Sequence, residues 1–219
     1  MTTVAAGEAT RLKTKHRACH DQHAEPSRVR LHRAISWLAR AEAEPADDDA
    51  RFIFQWIAFN AAYAREFGFE TPERDRLRQF FALACSADDG GKLREALFKQ
   101  FSGSIRTLIE NKFVFEPFWR ALREHDSSNR WETQFESSRK AAMQSILAGD
   151  CTTVLGIVFD RLYVLRNQLV HGGATWNSSV NRAQVRDGAA ILSVLVPILV
   201  EIMLDYPELE FGAILYPVI

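Results

Sequence analysis

Arg166, Asn167 and His171 are the residues of this chain whose types and spacing best fit chemistry, in the run Leu165-Arg166-Asn167-Gln168-Leu169-Val170-His171-Gly172-Gly173. A guanidinium stays charged at every working pH, and its planar donor fork matches two oxygens of a phosphate. An imidazole gives or takes a proton near neutrality. Together they can hold an anionic centre and move a proton at it, with no metal in the scheme. Leu155, Val158, Leu162, Leu165 and Leu169 recur as one apolar helical stripe, so the trio is predicted to ride near the C-terminal end of a buried helix that Asp150 caps and Gly172-Gly173 stops.

Spacing alone is a weak signal, because Arg11 to His16 and Arg120 to His125 show the same gap. Neither of those pairs combines a following Asn, a long apolar stripe and a glycine stop. On an ideal helix, positions five apart are turned about 140° from each other, so Arg166 and His171 diverge within one chain and need a second element to close a site. Asn167 lies one turn before His171 and is expected to bond and orient the ring.

Arg166-Asn167-Gln168-Leu169-Val170-His171 resembles the Arg-x4-6-His signature of the HEPN superfamily. A second stretch, Trp56-Ile57-Ala58-Phe59-Asn60 within Phe52 to Tyr63, is similar to the early Trp-x-x-Phe-Asn helix of its Apea-like branch. The resemblance implies an all-α fold, a HEPN-like helical bundle with additional short helices, and a homodimer formed through the motif helix that gathers the Arg and His of both chains. It also implies a metal-independent endoribonuclease, with Arg166 and His171 catalytic and Asn167 binding RNA or supporting the site. In such an enzyme the 2'-hydroxyl of RNA attacks the adjacent phosphate and leaves a 2',3'-cyclic phosphate. A toxin–antitoxin or phage-defence setting follows from the family, with an antitoxin protein as a possible partner. The alternative is a non-catalytic RNA-binding, dimerisation or scaffold protein of the same fold. Toxins of the family often carry Tyr two places after the His; here that place is Gly173, so control through that tyrosine is not expected.

Composition narrows the other classes. Lys and Arg total 27 against 28 acidic residues, so an RNA surface has to be a local patch, and DNA is not an expected partner. Cys19, Cys85 and Cys151 are scattered and odd in number, which fits a reducing, cytoplasmic compartment better than a disulfide framework. The N-terminus lacks an apolar signal segment, and the longest apolar run, Ala189 to Leu204, is interrupted by Ser193, Pro197 and Glu201 and falls short of the roughly 20 residues of a membrane span. It reads as a buried helix, with no membrane partner. His16, Cys19, His20 and His23 share one helical face, but a lone helix does not wrap a tetrahedral ion, so neither a metal nor another cofactor is expected.

Residues 1–26 read as a flexible arm ahead of one domain over 27–219. Ser27 is predicted to cap a helix to about Ala43. Asp47 to Asp49 start another carrying Phe52, Trp56, Phe59 and Tyr63 as far as about Phe67, and Thr71-Pro72-Glu73 opens a third. Short helices are expected over 92–101, 104–112 and 117–123, a long polar one ends at Gly149, and the last starts near Asn177 to Val180 with Val185, Ala189, Leu192, Val196, Leu199 and Met203 buried. Trp176, beside the glycine pair, can stack a base.

Overall fold

The fold was established from a computed structural model that describes residues 7–63, 73–209, 211, 212, 214 and 216. It is all-α: helices α1 (Glu8–Ala18), α2 (Glu25–Glu42), α3 (Asp48–Tyr63), α4 (Glu73–Ser86), α5 (Lys92–Glu95), α6 (Ser102–Glu110), α7 (Glu116–Arg123), α8 (Arg130–Ala148), α9 (Cys151–Val170) and α10 (Arg182–Asp205), with no strand among the described residues. The chain divides into two compact units. One holds residues 1–89 and 188–219, the other residues 90–187. The Thr71-Pro72 opening and the continuation of α3 to Phe67 lie outside the described residues.

In the first unit the aromatic stripe of α3 is core, as its spacing required: Phe52, Trp56, Phe59 and Tyr63 are buried. Phe59 stacks on Tyr63 at 5.4 Å and meets Phe80 and Phe81 of α4 at 6.2 and 6.1 Å. Helix α2 begins at Glu25 with Pro26 in its first turn and Ala24 in the capping position, so Pro26 opens this helix and Ser27 does not cap it. The buried side of α10 matches expectation from Val185 to Met203. At 24 residues the helix outruns the apolar segment within it and, by length and composition alone, is the one described helix able to cross a membrane; 72% of its apolar window is buried inside the protein, the position of a core helix.

Residues 8–18, expected to be part of an arm, form a packed helix. Ala9, Leu12 and His16 are its buried residues, a stripe too short and too rich in small and polar side chains to register as apolar periodicity. Glu42 closes its N-terminus by accepting from the Ala9 N–H at 2.9 Å, an approach that a side chain at Gly7 would block. Arg11 and Lys15 pair with the buried Glu201 of α10, and Lys15 reaches Asp205 at 2.6 Å. Buried Arg30 donates to three backbone carbonyls, Ala62 at 2.9 Å, Phe211 at 3.1 Å and Gly212 at 2.9 Å, which ties the post-α10 segment to α2 and α3.

The second unit is built around α9, whose Leu155, Val158, Phe159, Leu162 and Leu165 are fully buried. Asp150 caps it as expected, accepting from the Thr153 N–H at 3.0 Å. Helix α8 ends at Gly149, whose φ of +66° is the left-handed conformation glycine adopts at little cost.

Candidate functional site

Helix α9 carries the motif to its last turn and stops where the glycines predict. His171 follows Val170 as the C-terminal cap, its backbone N–H bonded to the Asn167 carbonyl at 3.0 Å. Gly172 takes φ of +71°, and its N–H reaches the Leu169 carbonyl at 3.4 Å. The Ala174 N–H then returns to the Gln168 carbonyl at 3.1 Å, and a Cβ on Gly173 would lie 3.2 Å from that same oxygen. Gly172 serves through its backbone angle, and at Gly173 a side chain would press on the Gln168 carbonyl.

Arg166 is half-buried and His171 is exposed. Arg166 Nη1 donates to Asn167 Oδ1 at 2.9 Å, while Arg166 Nε is buried with no hydrogen-bond acceptor among the described residues. Asn167 was expected to orient His171; instead its amide oxygen braces the guanidinium, and no hydrogen bond joins Asn167 to the imidazole among the described residues. The adjacent residue wins because Arg166 offers a charged donor, which a carbonyl oxygen accepts more strongly than a neutral one. The site thus presents a guanidinium held from one side and an open imidazole at the helix end. Trp176 is 74% exposed just beyond the glycine pair, and Asn60 of the α3 motif is half-buried in the first unit.

Two features near the motif had not been singled out from sequence. Gln168, one turn before His171, donates through Nε2 to the carbonyl of Phe113 at 2.6 Å, and Trp119 Nε1 donates to that same oxygen at 2.8 Å. A local signal for this cluster existed in the aromatic density from Phe113 to Trp131. The second is Arg161, only 3% exposed, with its guanidinium 4.4 Å from the Phe115 ring and 5.5 Å from the Phe135 ring and Nη2 bonded to Ser138 Oγ at 3.2 Å. Burial pushes its pKa down to about 10, partly countered by Asp160. Its position among the apolar residues of α9 offered no hint, since an arginine there reads equally well as a solvated face.

Among the described residues no cluster of three or more His, Cys, Asp or Glu side chains could hold a metal ion. His16, His20 and His32 do gather, with ring centroids 6.1 Å (His16 to His20) and 6.4 Å (His16 to His32) apart, and His23 is separately satisfied by the carbonyls of Cys19 and Met203. Comparison with protein-family models, with curated proteins and with solved structures returned no match for this chain.

Proposed function

We propose that the chain is a metal-independent endoribonuclease of HEPN type that works as a homodimer, with Arg166 and His171 from each copy lining a shared cleft. The reading rests chiefly on the end of α9. There a guanidinium braced by Asn167 keeps donor capacity, and an imidazole one turn past Asn167 stands open to solvent with a glycine pair leading the chain away. In this scheme His171 takes the proton from a 2'-hydroxyl, or supplies one to the leaving 5'-oxygen, and Arg166 stabilises the charge that grows on the phosphate. The nucleophile belongs to the substrate, so two side-chain types suffice. A protein partner that restrains such an activity, of the antitoxin kind, belongs to the same proposal.

One observation favours a second reading, RNA binding without cleavage by the same surface. Asn167 is engaged with Arg166, which leaves His171, among the described residues, without the orienting bond that a general base usually has.

Incubation of the purified protein with RNA in EDTA separates the two. The expected result is cleavage to 2',3'-cyclic phosphate ends, abolished by His171→Ala and by Arg166→Ala in proteins with unchanged circular dichroism. RNA that is bound but left intact selects the second reading, and cleavage that survives both substitutions removes the first.

A further inference from the structure

The second unit carries an aromatic cluster whose outermost ring is held in place at the cost of exposure. Phe113 is 50% exposed, yet both its backbone polar groups are held by side chains. Its N–H is taken by Asn111 Oδ1 at 2.9 Å, and its carbonyl accepts from both Trp119 and Gln168. The next residue, Val114, is buried and anchors the turn. The ring does not stand alone: with the half-buried Trp119 and Trp131, gathered on Phe118, it forms a rigidly presented aromatic patch of the kind that marks a contact surface.

The surroundings narrow the kind of occupant. Phe118 is the buried hub, with Phe113, Trp119 and Trp131 ring centroids at 5.5, 5.3 and 5.0 Å from its own, all three in edge-to-face contact. The Lys112 ammonium stands 5.4 Å from the Phe113 and Phe118 rings and 6.0 Å from Trp131, and no carboxylate pairs with it among the described residues. Exposed aromatic surface with an ammonium resting against it, and no carboxylate to neutralise that ammonium among the described residues, suits a planar base joined to a phosphate. A purely apolar peptide would leave the ammonium unanswered.

We infer that Phe113, with Trp119, Trp131 and Lys112, is a stacking platform for single-stranded RNA, fixed to the last turn of α9 through the Gln168 to Phe113 bond. One base lies on the Phe113 face, and its backbone phosphate meets Lys112. The inference rests on the RNA reading of Arg166 and His171 and adds to it that the substrate is unpaired, because a base inside a duplex offers no free face.

The test is binding of a fluorescein-labelled 12-nucleotide 2'-O-methyl RNA, which lacks the attacking hydroxyl and stays intact, to the full-length protein. Phe113→Ala keeps the carbonyl that Gln168 and Trp119 use, and it is expected to weaken binding at least about fivefold, the lower end of one lost base stack. Lys112→Gln is expected to weaken it too and to flatten the salt dependence by about one phosphate contact. The corresponding duplex is expected to bind more weakly than the single strand. Affinities of both variants within twofold of the parent overturn the platform, as does tighter duplex binding. So does a Phe113→Ala protein that keeps its RNA affinity but loses self-association in sedimentation, which makes the ring a protein contact. Platform binding with uncut natural RNA refutes the nuclease and spares the platform, whereas cleavage with unchanged binding by Phe113→Ala does the reverse.

Discussion

Arg166 donates from Nη1 to the amide oxygen of Asn167 at 2.9 Å, so two motif residues adjacent in sequence are also bound to each other through their side chains. With Nε of Arg166 buried and unpartnered among the described residues, this bond is what fixes the fork. Asn167 acts here as a positioning residue for the cation rather than for the imidazole.

Removing that brace is expected to tell on the chemical step. Asn167→Ala leaves Arg166 charged but free to turn, and the loss of one hydrogen bond to a charged group, about 1.5 kcal/mol, is a factor of roughly ten. For the proposed RNA cleavage, the expected outcome is a tenfold lower kcat with KM little changed and the melting temperature held. A variant with parental kcat, or with a changed KM alone, means that Asn167 does not position the guanidinium.

How much of this was legible beforehand depended on periodicity. Regular apolar stripes over several turns, such as Phe52 to Tyr63 and Leu155 to Leu165, announced their helices and their buried sides, and Asp150 and Gly149 marked ends through backbone chemistry that is local in sequence. Helix α1 escaped because its buried side is Ala9, Leu12 and His16, and its other support comes from residues distant in sequence, the Glu42 carboxylate at its first turn and ion pairs with Glu201 and Asp205 almost the whole chain away. The partner of Asn167 was also beyond reach, since two acceptable donors lay within one turn and only the side-chain rotamers decide between them. The bond from Gln168 to Phe113 spans 55 positions, and no spacing rule encodes it.

His16 is expected to make the first unit sensitive to acid. Burial above all, then the imidazoles of His32, His20 and His23, hold its pKa below the ordinary 6.5, while the Arg28 backbone pulls weakly the other way. A lowered histidine pKa means that the unfolded chain takes up the proton first, so stability is whole above about pH 6.5 and falls as pH drops through and below that value. The melting temperature is expected to fall between pH 7.5 and pH 5.5, and His16→Leu to shrink that fall. An identical pH dependence in the variant shows that some other group is responsible.

Arg161 is a buried cation with aromatic neighbours and a single hydroxyl, an arrangement whose desolvation exceeds its return. Replacing a buried ionic side chain by an apolar one of similar length is often neutral or stabilising, whereas truncation opens a cavity. Arg161→Met is expected to match or exceed the parent melting temperature, and Arg161→Ala to lose about 2–4 kcal/mol in urea unfolding. A methionine variant as damaged as the alanine one would mean that the charge itself holds Phe115, Phe135 and Ser138 in place.

Arg30 is the opposite case. Arg30 is 1% exposed, and its fork serves the Ala62, Phe211 and Gly212 carbonyls at once, so its loss strands the carbonyls of the buried Ala62 and Phe211 where water reaches poorly. Lysine carries the same charge but presents one compact ammonium, which cannot span three acceptors arranged around a planar group. Arg30→Lys is therefore expected to destabilise by about 2–3 kcal/mol and Arg30→Ala by about 3–5 kcal/mol, with faster amide exchange around residues 211 and 212 in both. Parental stability in the lysine variant would show that charge alone, without the fork geometry, secures the segment that follows α10.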